Sequence, residues 1–321
     1  MTRHRQCGVA IITALLVVML AAGIAAFLLA QQSRALTRAA RATERAQAIQ
    51  YAAPMLDWAR AALFQLQKST PRVDLTQPWA RGLAAIPIDG AMAAGGLRDE
   101  AGLFNINNLA KNGGRSEADI AVFRDLLTAL KLNPDLADAA ADWIDADDES
   151  SGAGGAENST YMAMQTPYRA ANRSMMQIEE LRRARGFDDA SLARLKPFVT
   201  ALPLRAPINI NTAPQEVLAA AFPKLTTDDI AALLRQRLAK PFESKAAIAE
   251  YWKKFSTPLV NDSLDMTSQF FSVNIAIDHA GAQIRQSALL QRAAATAGTP
   301  GTPGAAGEGA KWPSIIWVKT E

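Results

Sequence analysis

The chain has 321 residues, 49% of them hydrophobic and only 20% charged, with a formal charge of +3. That is enough apolar material for one large domain or two modest ones, and too little clustered basic charge for a nucleic-acid-binding face. Its single cysteine excludes a disulfide framework and a cysteine-ligated zinc site, and two histidines leave histidine-dependent catalysis almost no material.

Both Cys7 and His4 lie before an apolar run, as do Arg3 and Arg5. Val9 to Ser33 carries no charge, and its core, Val9–Ala30, is long enough to span a bilayer as a helix. An ordinary secretory signal would have a shorter apolar stretch. Here the helical pattern continues through Gln31–Ala53 without Gly or Pro. One helix is predicted from Val9 to about Gln67, with Pro54 as a possible kink. Arg34, Arg38, Arg41 and Arg45 fall on one face of it, either solvated or facing lipid headgroups or acidic helices. Four arginines beyond the run against two before it oppose the usual positive-inside orientation.

Thr70-Pro71 breaks the helix. Ala85–Leu97 and Leu97–Ile106 read as short strands with Gly-rich turns. A largely helical block, 107–265, follows. Ser116 with Asp119 suggests a capping box opening a helix to Lys131. Pro134 starts another through Trp143, and 174–186 and 189–196 give two more, the first closed by Gly186. Thr212 with Gln215 suggests a second capping box with Pro214 in the first turn, and Thr226 with Asp229 a third, opening a helix to Lys240. A last helix covers about 244–254. Phe270–Asp278 then alternates at period two, His279-Ala280-Gly281 is a turn, and Ala282–Gln291 pairs back. Residues 293–310 are low-complexity, and Trp312–Lys319 reads as a largely buried closing strand.

Strands on both sides of a helical block predict an α+β fold. A long N-terminal helix packs on a small antiparallel sheet, and a large all-α domain is inserted. Asn105-Ile106-Asn107-Asn108-Leu109 recurs as Asn209-Ile210-Asn211-Thr212-Ala213, each copy leading into helices. The second copy has the look of a helix-hairpin-helix module, many of which grip DNA. A backbone-gripping turn needs glycine, and Phe222-Pro223-Lys224-Leu225-Thr226 has none. The motif therefore reads as packing, and its asparagines as anchors of loop backbone.

No G-x-S-x-G, P-loop, H-E-x-x-H or G-x-G-x-x-G signature is present, so no enzyme is expected. The strongest chemical signal is acidic. Asp142, Asp145, Asp147, Asp148 and Glu149 precede a Gly-rich loop and then Glu157, Asn158 and Tyr161. Such a run suits a hard cation with oxygen ligands, though its spacing is not that of an EF-hand. The alternative is a solvated helix end, which would be electrostatically poor without a counter-ion. Asp145, Asp147, Asp148, Glu157 and Asn158 are the expected ligands. Tyr168, Arg169 and Arg173 read as packing or capping residues.

Two resemblances sharpen this reading. Cys7-Gly8-Val9-Ala10-Ile11-Ile12-Thr13 resembles a prepilin signal, which implies cleavage between Gly8 and Val9 by a prepilin peptidase and N-methylation of Val9. Asp142-Trp143-Ile144-Asp145-Ala146-Asp147, Gly155-Ala156-Glu157, Tyr168-Arg169-Ala170-Ala171-Asn172-Arg173 and Glu179-Glu180-Leu181-Arg182 resemble, in order and spacing, the K-type minor pseudopilin family (general secretion pathway protein K). Thr13 stands where most pilin-like proteins carry Glu, a departure typical of this family. The resemblance implies a leader 1–8, a membrane segment 9–33 and a pilin-like core from 34–106 and 266–321 around an inserted α-domain 107–265. It also implies Ca2+ in that domain, and assembly with the I- and J-type minor pseudopilins and the major pseudopilin at the pseudopilus tip. The expected setting is a bacterial inner membrane, crossed once, with the leader cytoplasmic, the bulk periplasmic and no nucleic-acid partner. A type IV pilus minor pilin, or a secreted DNA-binding helix-hairpin-helix protein, is the alternative.

Overall fold

The computed structural model describes residues 6–255, 263–293 and 311–320. The leader up to residue 5, the end of the expected inserted domain at 256–262 and most of the low-complexity stretch lie outside them. Helix α1 runs unbroken from Gln6 to Ser69, through Pro54. Strands β1 (Leu83–Ile88) and β2 (Ala91–Asp99) follow as an antiparallel pair.

The chain then leaves the sheet. It forms β3 (Phe104–Asn105), the small hairpin β4 (Ala110–Lys111) and β5 (Gly114–Arg115), and helices α2 (Glu117–Ala129), α3 (Leu136–Ile144) and α4 (Asn158–Met162). Next come α5 (Asp189–Leu195), β6 (Val199–Thr200) and β7 (Ile208–Asn209). Helices α6 (Gln215–Ala221), α7 (Thr227–Ala239) and α8 (Lys245–Trp252) and the short β8 (Leu264–Asp265) complete the excursion. Strands β9 (Phe270–His279), β10 (Ala282–Gln291) and β11 (Ser314–Thr320) finish a five-stranded sheet of order β1-β2-β9-β10-β11.

The second half of α1 lies on one face of this sheet. Ala48, Ala52, Met55, Leu56, Ala59, Leu63 and Leu66 recur at helical spacing and meet Ala93, Leu97, Val273, Ile275, Ile277 and Ile284, which recur at strand spacing. Each large apolar side chain fully buried here contributes about 1.5–3 kcal/mol. The alanines let the helix axis come close, and Gly95 makes room for Met55: a Cβ there would lie 3.3 Å from the Met55 methyl. The first half of α1 behaves oppositely. Residues 10–43 are exposed, including Ile11, Leu16, Leu20, Ile24 and Phe27.

The β9–β10 hairpin follows its sequence pattern. His279 pairs with Ala282 across a two-residue loop in which Ala280 and Gly281 both have positive φ (51° and 85°), the geometry that matches the twist of paired strands. His279 is a turn residue, its ring against Gly90 O and Gln47. At the far end of the sheet the helix is tied by Gln67, which donates to Ala293 O (3.2 Å). Helix α1 thus climbs from the hairpin turns to the end where β2 stops, and the excursion leaves from that end.

The excursion holds two hydrophobic cores. One gathers Phe104, Ile120, Phe123, Leu126, Trp143, Tyr161 and Leu195; the other gathers Ile210, Leu218, Phe222, Ile230, Leu233 and Trp252. The asparagine repeat opens both. Asn107 and Asn211 each clamp a distant loop with reciprocal bonds, to the N–H and C=O of Met175 and of Phe242, at 2.8–2.9 Å. Arg237, a buried residue of α7, donates to Ile210 O and Ala213 O and ties α7 to the segment that leads into α6.

Several local expectations change. The Thr226–Asp229 capping box forms, but the other two do not. Ser116 donates to the Asp119 carboxylate instead of accepting from the helix (2.5 Å). Thr212 is drawn away to Asp99 (2.6 Å), leaving Pro214 at the N-cap. Residues 174–186 make no α-helix, only a 3-10 stretch over Ile178–Arg183. In β11, an edge strand, Ile315, Ile316 and Val318 are exposed among the described residues, while Trp317 packs against Leu202, Phe270 and Leu289.

Candidate metal centre

Three elements meet at the acidic cluster. Helix α3 places Asp138, Asp142 and Asp145 at i, i+4 and i+7, on one face. The Gly-rich loop folds back over that face. Its glycines are required: a Cβ on Gly155 would fall 2.7 Å from Asp142 Oδ2 and 2.4 Å from Ser151 O, and one on Gly154 would strike Asp135 O. The loop then delivers Glu157 as the N-cap of α4.

Asp142, Asp145 and Glu157, all buried, bring one carboxylate oxygen each within 4.8 Å of the others. They are not equally provided for. Asp142 accepts from Ser151 N (3.1 Å), Ala156 N (2.9 Å) and the Arg115 guanidinium. Arg115 also holds Asp138 (3.0 Å), which Arg124 reaches from α2 (2.5 Å). Both oxygens of Asp145 and both of Glu157, by contrast, have no hydrogen-bond donor among the described residues.

The acidities follow. Burial pushes Asp145 up to about 6, with the Asp147 and Asp142 charges adding to it. Burial pushes Glu157 up to about 8, helped by Asp145, Asp142, Asp148 and Asp147. Burial alone would raise Asp138 as well, but its bonds to Arg124 and Arg115 bring it below the usual range. Four orphaned carboxylate oxygens beside a third acid form an all-oxygen, electronegative pocket. A desolvated carboxylate without a partner is costly, and a hard divalent cation would offset that cost.

Of the five expected ligands, Asp145 and Glu157 are in this group. Asp147, Asp148 and Asn158 serve the loops: Asp147 accepts from Glu149 N (2.9 Å), Asp148 from Asn158 N (3.1 Å), and Asn158 Oδ1 from Ala170 N (3.0 Å). Asp142 is the third acid of the group. Its helical register with Asp145 was the available signal; nothing local announced Arg115, which arrives from a separate hairpin. Tyr168 stacks on Tyr161 and donates to Arg183 O (2.9 Å), and Arg173 pairs with Glu180, so these are packing residues.

Comparisons with known proteins agree with one another. Two family models described as type II secretion system (T2SS), protein K match residues 102–204 and 208–273. The type II secretion system protein K of Pseudomonas aeruginosa is 33% identical over 282 residues, 84% of this chain and 84% of that protein. That of Aeromonas hydrophila is 30% identical over 310 residues, covering 90% and 94%. Among solved structures, one from the crystal structure of the GspK-GspI-GspJ complex of enterotoxigenic Escherichia coli superposes with a TM-score of 0.71 at 27% identity. The match covers 88% of this chain and 99% of that one.

Proposed function

Because the chain belongs to the type II secretion system protein K family, we propose that this minor pseudopilin caps the pseudopilus and nucleates its assembly, with I- and J-type minor pseudopilins as immediate neighbours and the major pseudopilin below. The type IV pilus and DNA-binding alternatives give way to that family membership. The observation that carries the tip position is where the insertion leaves the sheet. Residues 100–269 leave between β2 and β9 at the end farthest from the apolar half of α1. Two extra cores at that end obstruct any subunit stacking above, and an open filament end accommodates them.

Thr13 fits the same position. A carboxylate buried among packed helices needs a compensating partner. A subunit with no neighbour above avoids that need with a neutral side chain, and the Thr13 hydroxyl bonds back to Ala10 O (3.0 Å). Gold-tagged antibody against the insertion should mark one end of each filament, and deletion of the gene should lower filament initiation. Label spaced along the shaft overturns the assignment.

The apolar half of α1 is exposed and long enough to cross a bilayer, which fits a single-pass anchor. The setting we propose is the inner membrane with the globular part periplasmic. Gly8 and Val9 lie in the first turns of α1. A prepilin peptidase cutting between them, with methylation of Val9, would give mature protein whose N-terminal sequence reads Val-Ala-Ile-Ile-Thr. A start near Gln31 or Ala35 would instead mean an ordinary signal peptide and no retained anchor. Calcium is the cation proposed for Asp142, Asp145 and Glu157. It would neutralise the cluster and pin the Gly-rich loop to α3, a structural rather than catalytic service.

A further inference from the structure

The arginine stripe on α1 has no role in any contact described so far. Arg34, Arg38, Arg41 and Arg45 project from a continuous helix whose first buried residue is Ala48, so no other part of the described chain covers them. None of the four makes an ion pair within the described residues. At 100° per residue they occupy an arc of roughly 60°. Their sign runs against the usual distribution of charge around a membrane span. Such a cost calls for a compensating interaction.

Distance along the helix divides the four. The apolar run ends at Ala30. With a rise of ~1.5 Å per residue, Arg34 stands ~6 Å beyond that point, Arg38 ~12 Å, Arg41 ~16 Å and Arg45 ~22 Å. The headgroup layer on each side of a bilayer is roughly 5–8 Å thick. Arg34 lies inside it, and Arg38, whose long stem can fold back toward the interface, reaches its outer surface. Arg41 and Arg45 stand beyond it in water. Acid is divided in the same way: between Gln31 and Gln47 the one acidic residue is Glu44, next to Arg45 and one turn from Arg41. The inner pair has no such neutralising neighbour.

We propose that Arg34 and Arg38 form a binding site for the phosphate groups of anionic phospholipids, fixing the depth and rotation of α1 where it leaves the bilayer. This rests on the membrane-span reading above. A planar guanidinium meets phosphate oxygens through paired hydrogen bonds, and membrane-adjacent arginines are drawn to anionic lipid. The occupant fits by charge and by continuity with the span.

The test reconstitutes the full chain into phosphatidylcholine vesicles carrying a trace of spin-labelled phosphatidylglycerol or spin-labelled phosphatidylcholine. Electron paramagnetic resonance then reads the motionally restricted fraction of each. The expected result is a several-fold preference for phosphatidylglycerol at low salt, lost at about 0.5 M NaCl, where screening is short-ranged. R34Q/R38Q should abolish the preference and R41Q/R45Q should keep it. Equal restriction of both lipids by the unaltered chain overturns the proposal, as does an equal loss in the two double variants. A preference unchanged in R34Q/R38Q, with weaker co-purification of the major pseudopilin, would assign the stripe to an acidic partner helix instead. Absence of any restricted lipid would sink the membrane span itself, a separate result from loss of headgroup selectivity.

Discussion

Calcium should raise the melting temperature of the detergent-solubilised chain by roughly 10 °C over the same protein in chelator, given saturation at about a thousand times Kd and a few degrees per kcal/mol. Asp145→Asn/Glu157→Gln should abolish the rise. The four orphaned oxygens of these two acids are the reason. They cost stability while ionised and buried, and a cation reverses the sign of their contribution. In chelator the double variant should therefore melt higher than the unaltered protein, because it removes two of three crowded acids. An equal calcium shift in both proteins would refute the site.

The pH dependence carries the same signature. Asp145 and Glu157 have folded-state values raised to about 6 and about 8. Between their ordinary acidic range and those values, the folded chain holds protons that the unfolded chain has released. Metal-free stability should thus fall as pH rises from about 4 through 8. With calcium the trend should reverse, since binding requires the deprotonated acids and expels those protons. A metal-free melting temperature that climbs across this window would contradict the assignment.

The second large effect is expected at Asp99, the last residue of β2. Its carboxylate accepts from Asn209 (2.8 Å), Thr212 (2.6 Å), Ser268 (2.7 Å) and Ala101 N (2.9 Å). Buried Arg292, which donates to Pro71 O (3.1 Å) and Ser268 O (2.5 Å), supplies a nearby positive charge. Burial pushes the Asp99 carboxyl above the usual carboxylate range in spite of these four bonds. One acid thus joins the sheet to the second core of the insertion and, through Asn209, which also donates to Val73 O (3.1 Å), to the loop after α1. Asp99→Leu leaves three side-chain donors and a buried guanidinium without it, and should cost about 3–5 kcal/mol, on the order of 10 °C in melting temperature. Asp99→Asn keeps one acceptor and should fall between. A shift of only a degree or two for the leucine variant would show that the hub is dispensable.

What the sequence disclosed divides by range. Period-two alternation fixed the register of β9 and β10, and Thr226-x-x-Asp229 marked a true helix start, because strand pairing across a tight turn and capping are local. Thr212-x-x-Gln215 had the same local form but failed as a cap. Asp99, more than a hundred residues earlier, is buried within reach of that hydroxyl and accepts its hydrogen bond. The exposed β11 was misread because branched apolar residues signal a strand, not its position in a sheet. At the cluster, the acidic run was visible but its division of labour was not. Around the Gly-rich loop, Asp147, Asp148 and Asn158 accept from the backbone N–H groups of Glu149, Asn158 and Ala170. The helical spacing of α3 brings Asp142 beside Asp145 and Glu157.

The insertion leaves the sheet and re-enters it at adjacent rungs, Asp99 opposite Phe271, with Glu100 N bonded to Phe270 O (3.0 Å). For an unfolded segment on the order of 170 residues, bringing two ends together costs roughly 4.5 kcal/mol in closure entropy beyond a constant. An insertion that folds first presents its ends already side by side, and the β2–β9 ladder zips without that cost. Refolding of the central strands should then lag behind closure of the two helical cores. A cation at the acidic cluster would set the pace of a sheet that it never touches.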